Sequence, residues 1–257
     1  MCELLGMSFN LPVKPTISFR GFRHRGAHNP HGWGMAFYPD ASAQIFKEPV
    51  CARKSSLAEF LQNYPEVKSK IFIGHVRYTS VGSKSHKNTH PFYRELNGKA
   101  YVFAHNGTLK NYGHSEQGRF KPIGETDSEH AFCHLLNCIE EQGVTIWRNE
   151  DFDWLVEKLN EINEHGSFNC LFSDGEYLFC YYDNNGHNGL CYTHRKSPYG
   201  KIRLSDEEWE IDLDAEKRPE QSGYIIATRK LTNESWEPFK FGELMVFKDG
   251  EMIYSNK

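Results

Sequence analysis

Short apolar runs recur along the chain and predict a protein rich in β-strands. Two of the runs flank Asp174-Gly175, a dipeptide typical of a hairpin turn, and another two flank residues 248–251. The predicted strands are Ile71–Arg77, Tyr101–His105, Phe168–Ser173, Tyr177–Tyr182, Leu190–His194, Tyr224–Thr228, Leu244–Phe247 and Met252–Tyr254.

Three segments instead carry apolar residues at helical spacing. The clearest begins at Thr126, which forms a capping-box pattern with Glu129, and it ends at Gly143. The other predicted helices are Asp151–His165 and Ser56–Tyr64. Many strands with few amphipathic helices predict an α+β layered fold. No change in composition separates two cores, so we expect one domain over residues 1–257.

Composition narrows the class of protein. The chain has 257 residues, of which 39% are hydrophobic and 25% charged, and this excludes a disordered, collagen-like or coiled-coil chain. No apolar run is long enough to span a membrane, and no signal peptide is recognisable at the N-terminus. The seven cysteines form no Cys-x-x-Cys pair. Without a signal peptide, they predict a reducing, cytoplasmic environment and small buried side chains.

The net charge of −4 is concentrated in one segment. Residues 206–216 contain seven acids and no base, and the rest of the chain is only slightly basic, which argues against nucleic-acid binding. The acids alternate with Trp209, Ile211 and Leu213. This alternation predicts a half-buried strand with its acids in water, and an acidic docking site is the alternative.

Cys2 is the first candidate for chemistry. If Met1 is removed, the thiol lies beside a free α-amine whose ordinary pKa of about 7.7–8.0 suits a general base near neutral pH. Taken alone, a cysteine at this position is more often a packing residue.

Three further positions carry a functional and a structural interpretation each. Arg77 ends a strand and offers a fork for a carboxylate, but it equally suits a surface ion pair. Asn106-Gly107 is more typical of a turn, and the alternative is an oxyanion hole formed by the Asn amide and the Gly N–H. Asp127 in the first turn of the best helix suits the helix dipole or a ligand ammonium.

The order of these segments resembles the class II glutamine amidotransferases, which use an N-terminal cysteine, and more closely their single-domain YafJ-like branch. The opening residues 1–8, MCELLGMS, and a late pattern over residues 226–236 carry the resemblance to that branch. The motifs between them are Arg25-Gly26, Gly32-Trp33-Gly34, GHVRYTS at 74–80, THPF at 89–92, HNG at 105–107 and GETDS at 124–128.

The resemblance implies an Ntn-hydrolase fold, a four-layer αββα sandwich of two antiparallel sheets between helical layers. It also implies that Cys2 is the nucleophile and its α-amine the base. Asn106 and Gly107 match the oxyanion hole, and Asp127 and the Gly107 region match the site for the substrate's α-amino group.

By the same resemblance, Arg77 binds the α-carboxylate of the substrate, with Ser80 assisting. His90 belongs to a motif near the substrate site, and Arg25 and Trp33 belong to loops near it, without a specific role. The chain departs from some relatives at Val81, where they carry a histidine that touches the substrate carboxylate.

These residues predict an amidohydrolase that converts glutamine or a γ-glutamyl compound to glutamate plus ammonia or an amine through a thioester. No metal or organic cofactor is expected. The histidines at 24, 28 and 31, and at 130 and 134, lack an H-E-x-x-H pattern, and no phosphate-binding Gly-rich loop is present. The alternatives are a glutaminase subunit that passes ammonia to a separate synthase, a subunit with a peptidase partner, and a silent regulatory subunit. The oligomeric state is open.

Overall fold

The computed structural model describes residues 1–78, 82–110, 112 and 118–257, and two large antiparallel sheets lie face to face within them. The first sheet has seven strands in these residues, with β1 near its centre. In spatial order they are β13 (Glu237–Pro238), β9 (Cys191–Arg195), β12 (Gly223–Ala227), β1 (Glu3–Val13), β4 (Ser69–Val76), β2 (Trp33–Phe37) and β3 (Gln44–Glu48).

The second sheet has six strands in the described residues. They follow the order β15 (Glu251–Ser255), β14 (Leu244–Lys248), β8 (Tyr177–Tyr181), β7 (Gly166–Ser173), β6 (Lys99–Leu109) and β5 (Phe92–Leu96). A separate small ribbon pairs β10 (Lys201–Arg203) with β11 (Glu210–Asp212). The helices are α1 (Thr16–Arg25), α2 (Ser56–Asn63), α3 (Asp127–Gln142), α4 (Asn149–Asn163) and α5 (Leu213–Glu216), with 3₁₀ turns at Ala52–Lys54 and His86–Asn88.

Alternation of side chains along the strands produces four layers. On β1, Leu4 packs between the sheets, whereas Leu5 faces away and packs with Phe19 of α1 and Leu61 of α2. The outer face of the second sheet packs against α3 and α4 in a third apolar cluster. The predicted α+β sandwich of two antiparallel sheets between helical layers is therefore confirmed.

The helix that carries Asp127 begins and ends where the sequence predicts. The Thr126 hydroxyl accepts from the Glu129 N–H at 3.3 Å, and Gly143 ends α3 in the left-handed region at φ 74°. The hairpin at Asp174-Gly175 is also confirmed, since it joins β7 to β8. None of the helices in the described part of the chain is long and apolar enough to cross a membrane.

The expected strand over the acidic run is wrong for most of its length. Only Glu210–Asp212 is strand, and Leu213 begins α5. The acids do not simply face water, because they make local and long-range polar contacts: Asp206 pairs with Arg25, Glu207 pairs with Arg20, and the Asp212 side chain caps α5.

The sequence prediction missed the helices α1 and α5 and the strands β1, β2, β3, β5, β10 and β13. Most residues of β1 and all five of β2 are buried, so neither shows the polar alternation of a half-exposed strand. The missed elements matter for function, because β1 follows Cys2 directly and the chain between β4 and β5 carries Arg77 and His90.

Candidate functional site

Strand pairing brings Cys2 next to Arg77. The first residue of β1, Glu3, lies opposite Val76, the last residue of β4. In an antiparallel pair, the residues just beyond these ends are also neighbours, so Cys2 meets the segment Arg77-Tyr78. Cys2, Arg77 and Tyr78 line one wall of a recess at this edge of the sandwich, with about 280 Å³ of space free of atoms and partly open to solvent. We call it the Cys2 recess.

The Cys2 thiol is held by the main chain of Tyr78. Its Sγ atom accepts from the Tyr78 N–H at 3.1 Å and lies 3.3 Å from the Tyr78 carbonyl oxygen. Burial raises the pKa of this thiol, while the Tyr78 hydrogen bond, the positive chain terminus and Arg77 act in the opposite direction. A buried thiol of this kind needs a nearby base to become a nucleophile.

Arg77 supplies the positive side of the recess. Only 3% of the residue is exposed, and its guanidinium donates to the carbonyl oxygens of Ser83 at 3.1 Å and Gly82 at 3.4 Å. Burial lowers the pKa of Arg77, and the negative groups of Cys2 and Asp127 raise it. These contacts fix the guanidinium at the edge of the recess, where it can bind a carboxylate.

Asp127 supplies the negative side from another element. It is the first residue of α3, 9% exposed, and one carboxylate oxygen accepts from the Leu109 N–H at 2.7 Å. Thr126 is the N-cap, so the Asp127 side chain is not needed to cap the helix. The hydrogen bond ties the start of α3 to the end of β6, and Asp127 lines the recess on the side formed by these two elements.

Asn106 and Gly107 lie on β6, opposite β7. A Cβ atom on residue 107 would lie 1.9 Å from the Ser167 carbonyl oxygen, so the close approach of the two strands requires glycine there. Gly107 lines the Cys2 recess. Asn106 alternates to the face between the two sheets, the face that Leu4 of β1 also occupies. It is 2% exposed, and its amide nitrogen has no hydrogen-bond partner among the described residues.

His90 lines the recess as a neutral ring. Its imidazole packs against that of His75, with ring centroids 4.2 Å apart and ring planes inclined by 35°, and burial holds the pKa of both rings below the ordinary value, that of His75 at about 3. Their ring nitrogens have no hydrogen-bond partner within the described residues. A neutral His90 can contribute polarity or shape to the recess, but not a positive charge.

Three residues of the predicted site, Asn106, Trp33 and Arg25, are not among those that line the recess, and Ser80 lies outside the described residues. Trp33 is buried in the core, where it packs on Phe19 and its indole N–H donates to Glu48 at 3.1 Å. Arg25 is buried in an ion pair with Glu3 at 2.9 Å, so it contacts the residue that follows Cys2 rather than the recess.

The site also contains residues that the sequence interpretation did not single out. The recess is lined in addition by Tyr78, His105, Thr126 and Ser128. The His105 Nε2–H donates to the Ser167 carbonyl oxygen at 3.1 Å, which leaves Nδ1 to accept from the Ser128 hydroxyl at 2.8 Å. The motif residue His105 therefore braces β6 against β7 and α3.

The main chain of Cys2 is held by a loop that follows β8. The side-chain amide of Asn188 donates to the Cys2 carbonyl oxygen at 3.0 Å. Asp183 organises this loop, since its carboxylate accepts from the N–H groups of Phe168, Asn185 and His187. The turn-forming residues of segment 184–189, NNGHNG, were the only sequence signal for it.

No group of three or more His, Cys, Asp or Glu side chains is arranged to hold a metal ion in the described ranges of the chain. His134, one of the histidines considered at the sequence level, has Nε2 3.6 Å from the thiol of Cys138.

Comparison with known proteins places this site in context. Residues 1–257 match the family model for class II glutamine amidotransferases. The chain is 52% identical over its whole length to an uncharacterized protein of Methanocaldococcus jannaschii and covers 72% of that protein. It is 39% identical to the Escherichia coli protein named "Putative glutamine amidotransferase YafJ", over 98% of this chain and 100% of that protein.

Solved structures agree with this result. The chain resembles a crystal structure from Pseudomonas aeruginosa, described as that of a predicted glutamine amidotransferase, with a TM-score of 0.74 and 31% identity; the match covers 98% of this chain and 100% of the other. Glutamine phosphoribosylpyrophosphate amidotransferase of B. subtilis matches with a TM-score of 0.66 and 17% identity, over 100% of this chain and 49% of that one. At that identity the likeness concerns the fold alone, which is the Ntn-hydrolase sandwich.

Proposed function

Because this chain belongs to the class II glutamine amidotransferases, we propose that it hydrolyses the γ-amide of glutamine or of a γ-glutamyl compound through a thioester on Cys2. The observation that carries this proposal is the convergence of Cys2, Arg77 and Asp127 on one recess, from three segments far apart in the sequence. A thiol, a cation and a carboxylate around one small cavity suit an amino-acid head group with a reactive carbonyl.

The two opposite charges select the head group. The substrate α-carboxylate binds the Arg77 guanidinium, and the α-ammonium binds the Asp127 carboxylate. Arg77 is fixed by carbonyl oxygens on one wall and Asp127 by a main-chain N–H on another, so the two charges are positioned before substrate enters. Preorganised charges of this kind bind a zwitterion at low entropic cost.

The nucleophile requires removal of Met1. In the unprocessed chain the α-nitrogen of Cys2 is part of a peptide bond, and Met1 is 67% exposed. After its removal the free amine of Cys2 accepts the thiol proton, and the thiolate attacks the γ-carbonyl carbon. The C–N bond of the tetrahedral intermediate then breaks, and the amine leaves with the proton held by the Cys2 ammonium.

The developing oxyanion is stabilised by Asn106 and Gly107. The support is the buried amide nitrogen of Asn106, which has no partner among the described residues and can donate to a charge that appears only during the reaction. Water then attacks the thioester, which releases glutamate and regenerates the thiol. No step of this sequence uses a metal or an organic cofactor.

We also propose that residues 1–257 act as one catalytic domain. The supporting feature is that β1, next to Cys2, pairs directly with β12 near the other end of the chain. On this proposal the purified protein releases ammonia without a partner. The second reading, a glutaminase subunit for a separate synthase, gains support if release requires or is strongly increased by a partner protein.

The test is glutamate release from L-glutamine and γ-glutamyl amides by protein whose intact mass shows that Met1 is absent. Cys2→Ala is expected to abolish release. Cys51→Ala is the matched control, because Cys51 is also a partly exposed free thiol, but its Sγ bonds to the Gly26 carbonyl away from the recess. Full activity of Cys2→Ala, or equal loss in both variants, would overturn the assignment of the nucleophile.

A further inference from the structure

A second cleft, larger than the Cys2 recess, lies at the far end of β1. It encloses about 1070 Å³ of space, part of it open to solvent. Its lining includes Leu11 and Val13 at the end of β1, so at about 3.3 Å per residue the cleft lies roughly 30–36 Å along the strand from Cys2. We call it the β1-end cleft. It shares no lining residue with the Cys2 recess and is unused by the proposed reaction.

The floor of the β1-end cleft is apolar. Val13, Ile17 and Leu213 line it, each of them at most 3% exposed, together with the partly exposed Leu11 and Ile211. These side chains come from β1, α1, β11 and α5, which converge here. A concave apolar floor of this kind is typical of a site that takes the body of a small organic molecule.

The rim of the cleft is positively charged. Lys14, Lys68, Lys217 and Arg218 line it, against one acid, Glu216. None of these four cations forms a salt bridge with any residue that the structure describes. By contrast, cations on neighbouring elements do form salt bridges.

Among those neighbours, Arg20 of α1 pairs with Glu207 and Arg195 of β9 pairs with Glu234. The rim of the cleft is therefore a local excess of positive charge rather than a general property of this side of the molecule. Such an excess around a concave site attracts an anion.

Lys217 is the cation held most firmly at the cleft. Its ammonium lies 5.2 Å from the centre of the Phe9 ring, and its main-chain N–H donates to the Leu213 carbonyl. Burial lowers the pKa of Lys217 to about 8, helped by Arg195 and opposed by Glu234 and Glu216. An anion in the cleft would compensate the desolvation of this ammonium, as an ion pair does for a buried charge.

We propose that the β1-end cleft binds a small organic anion with an apolar or aromatic body, such as an aryl phosphate or carboxylate. The apolar floor takes the body, and the ammonium groups of Lys217 and Lys14 and the guanidinium of Arg218 take the charge. A bare inorganic anion leaves the apolar floor unused, and a neutral apolar molecule leaves the four cations uncompensated.

The experiment measures binding by titration calorimetry at pH 7, where Lys217 is mostly protonated. The probe is 1-naphthyl phosphate, and the matched probes are 1-naphthol, 1-naphthylmethylammonium and inorganic phosphate. We expect the naphthyl phosphate to bind at least about tenfold more tightly than each matched probe, because only it uses both floor and rim. Equal binding of naphthol and naphthyl phosphate, or no measurable binding of the latter, would overturn the proposal.

Variants assign the binding to this cleft. Lys217→Met keeps the length of the buried side chain near Phe9 and removes its charge, and we expect roughly tenfold weaker binding of naphthyl phosphate. Arg218→Gln is the second variant, at an exposed position where we expect the substitution to leave the fold intact. Lys54→Gln is the control, since Lys54 is exposed and does not line the cleft. Wild-type affinity in both cleft variants, or equal weakening in the control, would contradict the assignment.

Binding is measured on Cys2→Ala protein, which cannot form the thioester, with and without saturating L-glutamine, the proposed ligand of the Cys2 recess. Failure of this proposal therefore leaves the proposed amidohydrolase activity untouched, and the reverse also holds.

Discussion

Replacement of Asn106 by Ala should separate catalysis from stability. In the structure the amide nitrogen of Asn106 is buried without a partner among the described residues, and a buried polar group in that state costs the fold about 1–3 kcal/mol. The substitution removes this cost and also removes some packing. We therefore expect the free energy of unfolding to change by no more than about 1 kcal/mol.

The effect on the reaction should be much larger. Loss of one donor to the oxyanion costs about 2.7–4 kcal/mol of transition-state stabilisation, which corresponds to a kcat lower by roughly 10²–10³. KM should change little, because the ground-state amide makes less use of this donor than the oxyanion does. The assay is steady-state glutamate release over a range of glutamine concentrations, combined with urea unfolding of the same preparation.

Asn137 offers a matched control on α3. It is also buried, but its amide oxygen accepts from the Phe120 N–H at 2.9 Å. Asn137→Ala should lower the free energy of unfolding by about 1–3 kcal/mol, since the Phe120 N–H loses its partner, and should leave kcat unchanged. If Asn106→Ala kept kcat within a factor of about five of the wild type, the oxyanion role of Asn106 would be refuted.

Three further predictions concern residues around the recess. Arg77→Ala should raise KM for glutamine at least tenfold and lower kcat much less, because a charge-assisted bond to the α-carboxylate is lost in the ground state and the transition state alike. An unchanged KM in the glutamate-release assay would exclude the role of Arg77 in binding the carboxylate. Asn188→Asp suits the same left-handed backbone at φ 53° but cannot donate to the Cys2 carbonyl, so it should lower kcat roughly tenfold. A wild-type kcat would show that this contact does not position the nucleophile. Arg25→Met removes one of the two arginine partners of Glu3, which keeps Arg229, and also leaves the Arg229 carbonyl without its donor. It should lower the free energy of unfolding in urea by about 1–3 kcal/mol, whereas an unchanged value would contradict a structural role.

Local rules predicted the elements whose signals are local. Thr126, Glu129 and Gly143 define α3 because caps and left-handed glycines act within one turn of the helix. The strand expected over residues 206–216 was wrong because Asp206 and Glu207 pair with arginines of α1, and the Asp212 and Asp214 carboxylates accept main-chain N–H groups. Alternation of charged and apolar residues along the chain does not distinguish an acid that faces water from an acid that pairs with an arginine or accepts from a main-chain N–H.

The candidate site depended on the family resemblance for a physical reason. Cys2, Arg77 and Asp127 meet only after β1 pairs with β4 and the end of β6 binds the start of α3. These are long-range contacts that periodicity along the chain does not encode. Neither the family resemblance nor the pattern of apolar residues indicated Asn188. Its hydrogen bond to the Cys2 carbonyl depends on the fold of a loop that Asp183 organises.

The central claim is that Cys2, once Met1 has been removed, carries the γ-glutamyl group during turnover. Acid quench of the processed protein during steady-state reaction with glutamine, followed by peptide mass spectrometry, tests it directly. The account predicts a mass increase of one γ-glutamyl acyl group on the N-terminal peptide that contains Cys2, lost on treatment with hydroxylamine and absent from Cys2→Ala. Glutamate release at the wild-type rate with no such adduct, or an adduct on another cysteine, would contradict the account.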